Sequence, residues 1–184
     1  MLETSRLIIR EMCPDDIDAI YSIYEGNDLR YMENLYDDKQ QEYQYIKDYQ
    51  KYIYNFYDFG IWLFENKNTG EIIGRGGAQY KLDPDGSLRA ELGYIIKNVY
   101  KRQGYAYEAL SAIIPYIKEH FDVGEVRAVI HPDNTASIGL VRKLGFTLAE
   151  TTASHHIFTN LILSSMFMLA GRKYILKTYI LHRI

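Results

Sequence analysis

The stretch IIKNVYKRQGYAYEALSAIIPYIKEHF, from Ile95 to Phe121, restricts the fold more than any other part of this chain. An apolar strand ends in a basic turn around Gly104, and the turn opens at once into a helix. Ala106, Ala109, Leu110, Ile113, Ile114, Ile117 and Phe121 recur at helical spacing and mark its buried face. Pro115 falls inside that pattern and predicts a kink or an early end, because proline removes a backbone hydrogen bond and crowds the preceding turn. A short β-rich run, EVRAVIH, comes next. Strand, helix and strand in that order make a crossover between parallel neighbours. A plain connection needs one turn residue, whereas here Lys101, Arg102 and Gln103 crowd against Gly104.

The flanking sequence fits the same plan. RLIIREM, Arg6 to Met12, alternates and reads as a first strand. Pro14 then stands where a first helical turn begins, and Asp15, Asp16 and Asp18 meet the positive end of a helix that should reach Glu25. A second helix is expected from Gln40 to Tyr57, with Ile46, Tyr49, Ile53 and Phe56 on one face. The period then changes. GIWLFEN and EIIGRGGAQY flank the turn KNTG, and SLRAELGYIIK comes after DPDG, giving three antiparallel strands. Further on, DNTASIGLVRKLGF reads as a helix begun by Asp133 or Asn134 and stopped at Gly145. Gly139 inside it is expected to allow close packing, at a cost of about 1 kcal/mol relative to Ala. RKYILKTYIL is the last strand. The resulting class is α/β (α+β): a mixed, mostly antiparallel central sheet of about six or seven strands flanked by about four helices.

The 184 residues carry no internal repeat, low-complexity run or linker, so residues 1–184 are expected to form a single domain. Cys13 is the only cysteine, which excludes an intrachain disulfide and a cysteine-based zinc cage; no metal site is expected. A net charge of −3 argues against a general nucleic-acid or acidic-membrane surface. The N-terminus lacks a signal-peptide core, and LILSSMFMLAG, Leu161 to Gly171, falls short of the roughly 20 residues a spanning helix needs. The reading is a cytoplasmic protein with no membrane or nucleic-acid partner. The 18 tyrosines, many between Tyr43 and Tyr57, suit half-buried helix faces with wet hydroxyls.

A helix N-terminus presents unpaired N–H groups and partial positive charge, which together bind phosphate. Gly104 lets the backbone approach closely, Ala106 keeps the next turn uncrowded, and Lys101 and Arg102 add charge at the rim. The Lys-Ser or Lys-Thr pair of a Walker loop and the three glycines of a dinucleotide fingerprint are both absent here. Two further features lie close by: the turn comes directly after ELGYII, and HPDNTASIGLVRKLGF begins about 30 residues after it.

With those motifs the chain resembles the GCN5-related N-acetyltransferase superfamily, and most of all its ribosomal-protein N-terminal acetyltransferase-like branch. The resemblance rests on LETSRLIIREMCPDDIDAIYSI, on Glu91 to Ala109 and on NTASIGLVRKLGF, and it covers roughly residues 1–150. It implies the acyl-CoA N-acyltransferase fold, acetyl-CoA as co-substrate and an amine as acceptor. The family's turn, Arg or Gln, two free positions, Gly, one free position, then Gly or Ala, grips the pyrophosphate. Carried over, the grip falls on Arg102, Gln103, Gly104, Tyr105 and Ala106, with Lys101 where Arg or Gln is usual. The pantetheine arm is expected along Tyr94, Ile95 and Ile96, and Asn134 and Ser137 match the family's Asn-x-x-Ser that contacts coenzyme A. For Asn134 a helix cap is an equal reading.

Glu91 is the candidate general base, directly or through water; a carboxylate paired with Arg89 or Arg75 is the competing reading. His131 is a second candidate, or a loop residue bonded to backbone. Where many relatives carry a tyrosine acid, this chain has Val141, which leaves Ser137 or water to protonate the departing thiolate. Tyr31, Met32, Tyr36 and Trp62 are candidates for the acceptor side. His155 and His156 read as loop, and the apolar segment 151–184 is compatible with a self-buried hairpin, an acceptor wall or a homodimer contact. The implied function is acetyl transfer to a primary amine, of a protein N-terminus or a small molecule. The alternatives are a longer acyl group or a non-catalytic coenzyme-A-binding module.

Overall fold

A computed structural model describes residues 1–32, 34–57, 60–82, 86, 88–120, 125–154 and 174–182. Phe121, His155, His156, the stretch Leu161 to Gly171 and most of the DPDG turn lie outside them. Two compact units make up the chain: Met1–Gln79 with Leu92–Asp122, and Tyr80–Glu91 with Val123–Ile184.

In the first unit, β1 (Leu2–Glu3) and β2 (Leu7–Arg10) form an antiparallel pair, with Leu2 opposite Ile9. The sequence hid β1, which is two residues long. β2 pairs with β3 (Ile61–Asn66), and β3 with β4 (Ile72–Leu82), all antiparallel as the KNTG turn requires. A 3₁₀ turn at Pro14–Asp16 leads into α1 (Ile17–Tyr24), which ends one residue before the expected limit. Leu7, Ile9, Ile20, Ile23, Leu63, Phe64 and Ile73 are buried in this unit together with the apolar stripe of α4 (Tyr105–His120). α4 runs unbroken through Pro115. That proline stands on the exposed face, as does Ser111, whose carbonyl loses its intrahelical donor and can meet water instead.

The second expected helix is broken. α2 (Lys39–Tyr49) passes into a π turn, Gln50–Tyr54, and then one further turn, α3 (Asn55–Tyr57). A π turn inserts an extra residue and rotates the next part of the helix about its axis. Ile46 and Tyr49 are buried as expected, but Tyr54 takes the core position intended for Ile53, and Phe56 is 80% exposed. The Tyr54 hydroxyl donates to the Ile61 carbonyl and accepts from the Met12 N–H at 3.2 Å, so the rotation satisfies two backbone groups at once.

In the second unit, β5 (Leu88–Ile96) enters with its first residues and pairs in parallel with β6 (Glu125–Ile130), Ala90 opposite Val126 and Glu91 opposite Arg127. β6 pairs antiparallel with β8 (Tyr174–His182), and β8 with β7 (Thr147–Ser154), with a register shift between Leu148 and Glu150. The sheet is thus mixed and mostly antiparallel. α5 (Thr135–Lys143) starts at Asn134, whose side chain accepts the Ser137 N–H at 3.2 Å, and ends before Gly145 at φ +91°. Gly139 does not pack closely. It is exposed, and a Cβ there would meet nothing within 4 Å among the described residues. No helix among the described residues is long and apolar enough to cross a membrane.

Candidate functional site

From Ile96 the backbone passes Lys97, whose N–H donates to Ile73 O at 2.7 Å, and a 3₁₀ turn at Asn98–Tyr100. Lys97 Nζ reaches Glu71 Oε1 at 2.6 Å, and the Tyr100 hydroxyl bonds the other oxygen. These hydrogen bonds, with Lys97 first, hold the Glu71 carboxyl below its ordinary range. Lys101 is extended, Arg102 is left-handed at φ +63°, and Gly104 is left-handed at φ +85°. Arg102 is the only non-glycine residue with positive φ among those described. That conformation is unfavourable for a bulky side chain, so the turn stores strain. Left-handed residues interleaved with ordinary ones bring successive N–H groups to one side and make an anion-binding concavity. The first turn of α4 begins directly after it, with the Glu108 N–H closing on Gly104 O at 3.0 Å. Lys101, Arg102, Gln103 and Gly104 are exposed, Tyr105 and Ala106 half-buried.

The strand leading to the turn is tightly enclosed. A Cβ on Gly74 would lie 2.6 Å from Ile95 O, and one on Gly76 2.7 Å from the Tyr94 Cβ. The glycines of GRGG therefore let β4 lie against β5 at Tyr94 and Ile95, a role the sequence reading missed. Asn27 was missed too. Its Nδ2 donates to Ile23 O at 2.6 Å and Ile96 O at 3.2 Å, while its buried Oδ1 has no partner among the described residues. Arg6 also reaches the turn: its Nη1 donates to Gln103 O at 3.1 Å.

Glu91, His131 and Val141 lie in the second unit. Glu91, with its side chain 12% exposed, faces Arg89 Nη2 at 3.8 Å. Arg75, the other partner considered for it, instead donates to the Tyr24 hydroxyl at 2.5 Å. His131 Nδ1 accepts the Asp133 N–H at 3.2 Å, and its carbonyl accepts the Asn134 N–H at 2.9 Å. It shapes the turn into α5. Val141 is fully buried, so that position is part of the core. On the acceptor side, Trp62 is also core, packed edge-to-face on Tyr116 at 5.6 Å; Tyr36 is exposed and Tyr31 half-buried. The structure thus joins Tyr94 to Ala106 in the first unit and Asn134 to Ser137 in the second.

A family profile described as an acetyltransferase (GNAT) domain matches residues 6–147. An uncharacterised N-acetyltransferase of Bacillus subtilis, YoaA, is 31% identical over 149 residues, 79% of this chain and 82% of that one. Among solved structures, a Salmonella typhimurium acetyl transferase that modifies the N-terminal serine of ribosomal protein L7/L12 matches with a TM-score of 0.75 at 16% identity. The match covers 98% of this chain and 97% of that one. YncA of the same organism, a putative acetyltransferase solved with acetyl-CoA, matches at 0.69 and 18% identity, over 97% and 94%.

Proposed function

The chain belongs to the GNAT acetyltransferase family and is an acetyl-CoA-dependent N-acetyltransferase; from that premise we propose that it acetylates the primary amine of a protein N-terminus or a small molecule by direct transfer. The observation that carries the binding half is the pair of left-handed residues, Arg102 and Gly104, at the mouth of α4. Backbone N–H groups from Arg102 to Ala106 take the pyrophosphate, with Lys101 and Arg102 supplying charge. Tyr94, Ile95 and Ile96 carry the pantetheine arm. Asn134 and Ser137 add contacts, as the resemblance implies. The family match runs through both compact units, which supports reading 1–184 as one domain of this type.

Acetyl-CoA brings an activated acetyl group; the chain must align it, hold the amine neutral and protonate the leaving sulfur. Alignment alone is worth about 7 kcal/mol in favourable cases. Glu91 takes the amine proton, directly or through water. Its contact to Arg89 at 3.8 Å is at the edge of ion-pair range, which leaves the carboxylate able to accept. Ser137 stands as proton donor to the sulfur, since buried Val141 cannot serve. The test is a calorimetric titration with acetyl-CoA, coenzyme A and desulfo-coenzyme A, then turnover on peptides and small amines. Micromolar binding of all three and then turnover is expected; no binding sinks the assignment of the turn. Glu91→Gln should lower turnover and flatten the acidic limb of the pH–rate profile, and a wild-type profile would remove Glu91 as base.

A further inference from the structure

Resting on the reading of Lys101–Ala106 as the coenzyme A turn, we infer that Arg6 is the positioning residue that holds this turn in its anion-binding shape. Arg6 lies just before β2, yet its guanidinium reaches the turn and the first turn of α4. Nη1 donates to Gln103 O at 3.1 Å, Nε donates to Glu108 Oε2 at 2.6 Å, and the guanidinium carbon sits 4.1 Å from the Tyr105 ring centroid. Two more donors fix the other carboxylate oxygen: the Arg6 N–H donates to Glu108 Oε1 at 2.7 Å, and the Thr4 hydroxyl donates to it at 2.6 Å. Burial pushes the Glu108 carboxyl up, but these donors overcome it and hold the group below its ordinary range.

The Gln103 carbonyl lies between the two left-handed residues. In a trans peptide the C=O and the next N–H point in opposite directions. Pinning Gln103 O to Arg6 therefore turns the Gly104 N–H away from Arg6, toward the open side of the turn. The strained Arg102 is exposed and cannot hold that peptide by packing. A Cβ at position 104 would meet Arg6 Nη2 at 3.5 Å, so the clamp closes against the glycine itself. Arginine is required because one planar fork must donate in two directions while stacking on Tyr105; a lysine ammonium can pair with Glu108 but cannot do all three.

The experiment compares wild type, Arg6→Lys and Glu108→Gln for coenzyme A affinity, steady-state constants, melting temperature and amide exchange across residues 101–106 without ligand. In Arg6→Lys the Kd for coenzyme A and the KM for acetyl-CoA should rise about tenfold, on the scale of one lost charge-assisted bond. The KM for the acceptor should stay within about twofold, and exchange at 101–106 should accelerate. Glu108→Gln, which keeps Arg6 but loosens its anchor, should fall between. Wild-type affinity and exchange in Arg6→Lys would overturn the inference, and so would an equal loss in acceptor KM, kcat and melting temperature, the mark of a general structural role. Failure of wild type to bind coenzyme A while exchange still accelerates in Arg6→Lys would leave the clamp standing and overturn the ligand assigned to the turn.

Discussion

Gly104→Ala tests the turn most directly, and the structure sets the size of its effect. At φ +85° the left-handed conformation costs an alanine roughly 1–2 kcal/mol. Among the described residues its Cβ would meet only Arg6 Nη2, at an ordinary 3.5 Å, so they add no further steric term. The cost can appear in two places. If the turn keeps its shape without ligand, the fold loses that 1–2 kcal/mol and melts about 2–8 °C lower, given 2–4 °C per kcal/mol at this size. If the turn relaxes when empty, only the bound state is destabilised, and coenzyme A binds about 5- to 30-fold more weakly. The two losses should therefore trade against each other, and thermal melts read beside calorimetric titration measure both. Gly104→Asn is the control, since asparagine tolerates this region better and should lose less in each assay. On sequence alone, a valine here should act by crowding the ligand and spare the fold. The positive φ shows that any Cβ has a backbone cost even before ligand arrives. Gly104→Ala with wild-type melting temperature and wild-type affinity would refute the claim that the left-handed glycine shapes the site.

The packing leads to three further outcomes. Gly139→Ala should stabilise by up to about 1 kcal/mol, because the position is helical and open; a lower melting temperature would show that its space is needed. Tyr54→Phe should cost about 1–3 kcal/mol in chemical denaturation, since it strands the Met12 N–H and the Ile61 carbonyl; a neutral change would mean that water replaces the hydroxyl. Glu42 is 2% exposed, and burial raises its pKa despite the Tyr36 N–H and the charge of Arg75. The folded state then holds that proton more tightly than the unfolded chain, so stability falls as pH rises through the folded pKa. Glu42→Gln should accordingly melt higher than wild type at pH near 7, with the gap closing in acid; a gap independent of pH would discount the titration.

Legibility in the sequence divides by the reach of the interactions. The basic turn and the bounds of α5 were legible because each is set within a few residues: Gly104 for the turn, Asn134 for the α5 cap, Gly145 for its stop. The exchange of Ile53 for Tyr54 in the core was not, because only the distant Met12 N–H and Ile61 carbonyl favour the extra residue in the π turn. Trp62 looked like a pocket residue until Tyr116, on another element, covered it. The site repeats this division. The residues proposed to grip the pyrophosphate, Arg102 to Ala106, are contiguous in sequence, whereas the supports of that segment come from afar: Gly74 and Gly76 against β5, Asn27 on the Ile96 carbonyl, and Arg6 on a residue 97 positions later. A signal for the last did exist. Thr4 and Arg6 are two donors in the short turn between β1 and β2, and Glu108, four residues into the helix after Gly104, is the acidic residue in its first turn. Donors in that turn and a carboxylate beside the proposed anion-binding turn have a physical reason to meet, because an unpaired Glu108 would repel the phosphate its own helix attracts. Arg6 and Thr4 thus do two things: they orient the turn, and they neutralise the one negative charge placed against its purpose.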